Sequence, residues 1–203
     1  MGRNSGGVNQ GAAGGGFDRH IEEYISGDGM WINNWLRGRD GYDYKLDPGE
    51  EAYLKGLDKA TTAKTIGKDT TLWRSADAKA IFGNISDMDY EALYSVVGYG
   101  DKQKVYVDRA NKVLDRAKPG KVITEKGFMS TTKSKSIAEE WGGFSGSSKP
   151  IVLKLDVPKK VKGIDLSKHE MNQDEILLQR GLKYKVKKVY GNHGTIYVDA
   201  AII

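Results

Sequence analysis

Three short stretches of the chain carry side chains able to do chemistry together. Leu72-Trp73-Arg74-Ser75 puts an arginine at the end of a hydrophobic run, and the planar fork of a guanidinium suits a phosphate. Gly127-Phe128-Met129-Ser130-Thr131-Thr132 carries three hydroxyls at the tip of a second run. Gln173-Asp174-Glu175-Ile176-Leu177-Leu178 feeds an amide and a carboxylate into a third. Gln173 and Glu175 are two apart, so on an extended backbone they share a face. Glu175 directly precedes an apolar run, and a carboxylate at such an entrance needs a partner because burying it alone is costly. The hydroxyls of Ser130 to Thr132 are suitable donors. Taken singly, each stretch also fits a plainer role: a rim arginine, a β-prone edge, a carboxylate at a strand entrance.

The elements that must position these groups follow from periodicity. Phe17, Ile21, Tyr24 and Ile25 fall at helical spacing, and Gly27-Asp28-Gly29 interrupts them. Met30 to Leu36 predicts a second short helix with Ile32, Trp35 and Leu36 on its apolar face. Pro48-Gly49-Glu50-Glu51 opens a longer one, since proline is tolerated in a first turn and acids favour the positive end of the dipole. Met88–Val97 and Lys102–Ala117 are further helical candidates. The second half changes period. Strands are predicted over Thr70–Arg74, Val122–Thr124, Gly127–Thr131, Ile151–Val157, Glu175–Leu178, Lys183–Tyr190 and Thr195–Ala200. Ser134–Trp141 predicts a short helix, and Gly142–Lys149 a loop. Helices first and strands later argue an α+β fold rather than a doubly wound sheet.

Composition narrows the chemistry. The 203 residues suit one domain, and 38% hydrophobic with 29% charged residues suits a folded core. Residues 1–16 hold seven glycines and are read as a flexible leader or linker, with a single domain over 17–203. Without cysteine, thiolate nucleophiles and thiolate zinc sites are excluded, and His20, His169 and His193 form no metal-binding pattern, so no metal is expected. Neither a dinucleotide-fold nor a P-loop glycine signature occurs. No run approaches the roughly 18 apolar residues of a membrane span, and no basic-then-apolar start marks a secretory signal. A net charge of +5 is modest, and the basic residues do not interleave with aromatics as a nucleic-acid platform would.

In combination the motifs resemble the ADP-ribosyltransferase exoenzyme family, which includes clostridial Rho-inactivating exoenzymes and the catalytic halves of binary actin-modifying toxins. That family carries an arginine on an early strand, a Ser-Thr-Ser strand and a Gln/Glu-x-Glu loop in this chain order. Ile32-Asn33-Asn34-Trp35-Leu36-Arg37 is similar to its I-N-x-x-L-R helix, and the resemblance spans about residues 20–200. It implies a split β-sandwich with an N-terminal helical layer. It also implies NAD as substrate, and transfer of ADP-ribose to a protein side chain by a monomer acting in the cytoplasm of a host or target cell, delivered as an effector or carried by a phage. Residue by residue, it implies Arg74 and Ser75 at the NAD phosphates and nicotinamide, and Arg37 and Asn33 at the pyrophosphate and adenosine side. Ser130 braces the ribose wall and counts with Glu175 and Gln173 as catalytic, Thr131 and Thr132 are cofactor-binding with Thr132 orienting Glu175, Glu175 is the catalytic carboxylate, and Gln173 reads the acceptor. Trp141, then Phe144, are the stacking aromatics, and His169 and Met171 lie in the acceptor loop.

The chain departs from the family pattern in places. Thr132 stands for the third serine, Glu170 where an aromatic is common, and Lys149 where an arginine is usual. Gln173 in place of a glutamate cannot deprotonate a guanidinium, which favours an asparagine or glutamine acceptor over arginine. Threonine, and a nucleic-acid base as a minority acceptor, stay open. Two alternatives stand beside the transferase: an NAD glycohydrolase, and a non-catalytic phage head or portal-associated assembly module.

Overall fold

A computed structural model of the chain describes residues 19–144, 151–167 and 174–203. The leader over 1–16 and Phe17 lie outside them. Helices α1 (Arg19–Glu23) and α2 (Gly29–Arg37) are joined by a wide turn kinked at Gly27, where the sequence places its break. Helix α3 (Pro48–Thr62) starts with a reciprocal cap: Asp47 accepts from the Glu50 backbone, and Glu50 accepts from that of Asp47. Strand β1 (Thr70–Ala76) leads into α4 (Ala78–Phe82), α5 (Asp87–Leu93) and α6 (Lys104–Leu114). Strands β2 (Val122–Thr124) and β3 (Met129–Thr132) precede α7 (Lys135–Phe144). Strands β4 (Ile151–Val157), β5 (Gly163–Asp165), β6 (Glu175–Leu178), β7 (Lys183–Asn192) and β8 (Thr195–Ile202) complete the described chain.

The described strands form one eight-stranded sheet in the order β2-β7-β8-β4-β1-β3-β6-β5. It is antiparallel except where β4 runs parallel to β8. Its seam is β1 to β3, which share one register pair, Trp73 with Thr132. By contrast β1 pairs with β4 over seven residues. The sheet is therefore a five-stranded and a three-stranded half held together at one point, the α+β split architecture.

Each half buries alternate residues. The main core joins Leu72, Leu153 and Val198 of the long half to Met129, Ile176 and Leu178 of the short half, under Phe82, Leu93 and Val113 from the helices. The other face of the short half, through Phe128 and Leu177, packs against Ile21, Ile32 and Leu57 of α1, α2 and α3. This is the N-terminal helical layer. At about 25 cal/mol per Å² of apolar surface, a fully buried leucine or isoleucine contributes about 1.5–3 kcal/mol, so both layers hold the short half in place.

Three local expectations are corrected. The Gly127–Thr131 strand begins at Met129, because the backbone of Gly127 and Phe128 bonds to side chains instead of a neighbouring strand. The Ser134–Trp141 helix continues to Phe144, so Gly142 and Gly143, read as loop, are helical. Helix α4 and strand β5 have no counterpart in the sequence reading. Each is short: α4 is made by the Asp77 cap on Lys79, β5 by its pairing with β6. No helix among the described residues is long and apolar enough to cross a membrane.

Strand β7 touches the turn after α5 so closely that residue 191 has room only for glycine. A Cβ there would overlap the backbone carbonyl of Val97 and come within 2.9 Å of the Gly98 Cα. Backbone cannot yield as a side-chain tip can. Gly191→Ala should cost roughly 1–3 kcal/mol and lower the melting temperature by several degrees. An unchanged melting curve would show that the β7 contact with this turn is loose.

Candidate active site

The seam exposes the ends of β1, β3 and β6, and α2 and α7 wall the gap. Three adjoining cavities run along it, of about 510, 350 and 600 Å³. Arg37 and Arg39 line all three, so they form one elongated cleft. At one end stand Tyr24, Ser130, Trp141 and Glu175. In the middle are Arg74 and Ser75, with Ser130 and Trp141 shared. At the far end lie Lys79, Asn84 and Lys126.

Each group is placed by identifiable local structure. Glu175 opens β6, opposite Thr132 in register, while Ser130 faces Leu177. Residues directly opposite in an antiparallel pair share a face, so Glu175, Ser130 and Thr132 all lie on the face toward the helical layer. Asp174 before it takes a left-handed backbone (φ 55°), which turns the incoming chain into the strand. Arg74 projects from β1, its Nε donating to the Ser75 carbonyl at 3.3 Å. Trp141 is carried by α7, not by a loop. That helix is fixed to the sheet by Ala138 against Val152 and Tyr197, by a Tyr197 hydroxyl to Glu139 bond, and by Lys135 over the Tyr197 ring at 4.5 Å.

Two groups missed by the sequence reading organise the cleft. The first is Glu125. Its carboxylate is 9% exposed and accepts from Arg37 Nε at 2.9 Å, Arg37 Nη2 at 3.2 Å, Arg74 Nη1 at 3.4 Å and the Gly127 backbone at 2.9 Å. Burial alone would raise its pKa. The Arg74 and Arg37 charges and the bonds from Arg37 and Gly127 outweigh that and hold the carboxyl below its ordinary 4.5. The second is Tyr24, whose hydroxyl accepts from Asn33 Nδ2 at 2.8 Å and lies 3.3 Å from Ser130 Oγ. Burial pushes its pKa up, bonds to Ser130 and Asn33 oppose this, the Glu175 charge adds to it and Arg74 subtracts. The phenol stays neutral, and it feels both the carboxylate and the guanidinium of the cleft.

The sequence candidates divide on inspection. Arg37, Arg74, Ser75, Ser130, Trp141 and Glu175 line the one cleft. Thr131 does not reach it: the side chain is fully buried on the core face and its hydroxyl donates to the Ile176 carbonyl at 2.6 Å, tying β3 to β6. Thr132 is also fully buried, and its Oγ1 accepts from the Ser134 backbone. Asn33 borders the cleft, but both ends of its amide are engaged inside, on Tyr24 and on the Phe128 backbone at 2.8 Å. It braces the 125–128 turn against α2. Gln173, His169, Met171, Glu170 and Lys149, and the side chain of Phe144, lie outside the described residues. No cluster of His, Cys, Asp and Glu suited to a metal ion occurs among the described residues.

A Cβ at 127 would meet Asn33 Oδ1 at 2.5 Å and Arg37 Nη2 at 3.2 Å, so a side chain there would push the Asn33 amide off the Phe128 backbone. The Glu125 linkage has a pH consequence. A carboxyl whose pKa is lowered by folding stabilises above its unfolded value, and that contribution fades as pH falls through the lower folded value. Glu125→Gln, which leaves a buried cation pair without its counter-charge, should destabilise by roughly 1–3 kcal/mol near neutrality. The gap between the two melting temperatures should hold above pH 4.5 and close below it. A gap that widens in acid would contradict the assignment.

The family model of the ADP-ribosyltransferase exoenzyme matches residues 18–203. No curated protein sequence matches the chain. Among solved structures, C3larvin toxin, an ADP-ribosyltransferase from Paenibacillus larvae, superposes with a TM-score of 0.62 at 24% identity, covering 91% of this chain and 93% of that one. C3stau2 from S. aureus, solved with NAD, gives 0.65 at 23%, covering 92% and 85%. An ADP-ribosyltransferase from Clostridium botulinum gives 0.66 at 21%, covering 91% and 85%. Likeness at these identities establishes the shared fold, and the match of the family model over nearly the whole chain goes further: this chain belongs to the ADP-ribosyltransferase exoenzyme family.

Proposed function

We propose that the cleft takes NAD as its substrate and that Glu175 drives transfer of ADP-ribose to an amide side chain of an acceptor protein. The observation that carries the reading is the shared cleft itself: two guanidiniums from α2 and β1, and one carboxylate from β6, border the same gap at the seam. The residues fit the molecule. Arg37 and Arg74 offer paired donors to a diphosphate, and each is only partly exposed, at 21% and 14%. Trp141 offers a flat face beside them.

Mechanistically, the bond from the ribose C1′ to the nicotinamide nitrogen breaks, and its electron pair leaves with nicotinamide. Positive charge develops on the ribose. Glu175, beside the ribose hydroxyls, stabilises that charge and costs no reorganisation at the moment of reaction. The Tyr24–Ser130 pair backs the same wall as a neutral hydrogen-bonding unit. The two arginines hold the diphosphate so that the ribose stays in reach of Glu175. An acceptor nitrogen then bonds to C1′ and gives its proton to solvent water. The amide acceptor rests on Gln173, which can pair with an amide and cannot act as a base. The enzyme would act within the cell that holds that acceptor.

The test is incubation with NAD labelled in its adenylate part and a cell lysate, followed by mass spectrometry of the modified residue. Wild type should label a protein on asparagine or glutamine. Glu175→Gln should lose roughly 10²–10³ in rate with NAD affinity largely kept. Label on arginine would refute the amide assignment. Release of nicotinamide without protein label would make the enzyme a glycohydrolase. Equal labelling by Glu175→Gln would remove the carboxylate from the mechanism.

A further inference from the structure

The diphosphate-binding arginines come from elements far apart in the chain, and neither is held by its own element alone. Arg37 is the last residue of α2, where a long side chain has many rotamers. What fixes it is a side-on, two-point grip by Glu125 on Nε and Nη2. That grip uses one edge of the guanidinium. Nη1 and the second hydrogen of Nη2 are not consumed by it. Arg74 presents Nη1 to the same carboxylate and Nε to the Ser75 carbonyl, and these two bonds leave its Nη2 over. The carboxylate lies deeper than either arginine, at 9% exposure against 21% and 14%. It lines the middle and far end of the cleft as a less exposed floor between them.

Glu125 is itself immobilised. The Gly127 backbone donates to it, and Asn33 clamps the next residue through the Phe128 backbone while bonding Tyr24. The 125–128 turn is thus riveted to α2 at two points, Arg37 and Asn33. The absence of a Cβ at Gly127 permits that approach.

We infer that Glu125 is a positioning residue for the reaction: a buried counter-ion that sets two guanidiniums at the spacing of a diphosphate before substrate arrives, and stays in place when it binds. The inference rests on the reading of the cleft as an NAD site. Its chemistry is simple. Two like charges within reach of one another repel, and a carboxylate bonded to both cancels that repulsion while leaving donors of each guanidinium over for a ligand. The ordering entropy of both side chains is spent in folding instead of in binding.

A group that only prearranges diphosphate contacts acts equally on substrate and transition state, so its loss should raise KM and spare kcat. Nicotinamide release from NAD is measured for wild type and Glu125→Gln at 25 °C. The variant should show KM raised about tenfold or more with kcat within about threefold, and Glu125→Asp, which keeps the charge, should recover part of the loss. Unchanged KM, or a fall in both parameters in proportion, would overturn the inference. A lower KM in Glu125→Gln would overturn it too, making the carboxylate a competitor of the substrate. Failure of the reading itself is distinguishable, because wild type would then neither bind nor cleave NAD.

A measurement on wild type stands apart from the folding of any variant. The Arg37 Nε–H resonance, assigned by its disappearance in Arg37→Lys, should be resolved in the free protein and remain so when NAD saturates the cleft. Its absence in the free protein, or its loss on NAD binding, would show that the grip is not preformed or not kept.

Discussion

The architecture turns on the single register pair that joins β1 to β3. Strands that pair along their length fill their shared edge with backbone bonds and leave nothing between them. Here Trp73 and Thr132 meet and the strands then part, so the side chains beyond that point face a gap. Arg74 and Ser75 follow Trp73 on one side, and Ser130 and Glu175 stand on the other. Were β1 and β3 zipped over seven residues as β1 and β4 are, the cleft would close and these groups would lie on a flat sheet.

A seam so narrow has to be held open and held together by other means. The shared core through Met129, Ile176 and Leu178 keeps the short half against the long one. The helical layer clamps its other face. Across the gap itself the links are polar: Glu125 between Arg37 and Arg74, and Arg39 to Asp77 at 3.1 Å. Apolar packing thus sets where the two halves lie, and charged hydrogen bonds set how the cleft's own side chains point. This division suits a site that must receive a charged ligand without collapsing on it.

Much of this was legible in the sequence wherever a local rule governed. Strands Val122–Thr124, Ile151–Val157 and Glu175–Leu178 follow from β-rich composition bounded by turn residues, and the start of α3 from its proline and acids. The ordered motifs pointed to the family, which the match over residues 18–203 shows. What failed to show was set by distance along the chain. Glu125 reads as an exposed turn acid between Thr124 and Lys126, and its partners are 88 and 51 residues away. Thr131 reads like its neighbours Ser130 and Thr132, and only the β3–β6 register reveals that it points into the core. Tyr24 fits a helical apolar stripe, and nothing local tells that its hydroxyl emerges at the cleft. The one local hint for Glu125 was its place two residues before a glycine that opens a hydroxyl-bearing strand.

The central claim is that Arg37, Arg74 and Glu175 act on one dinucleotide lying along the seam. A crystal structure of Glu175→Gln with NAD tests it most directly, since the substrate would persist. The account predicts the diphosphate against Arg37 and Arg74, and the nicotinamide ribose beside residue 175 and Ser130. NAD bound elsewhere, or a ribose turned away from residue 175 with the diphosphate clear of both arginines, would contradict it.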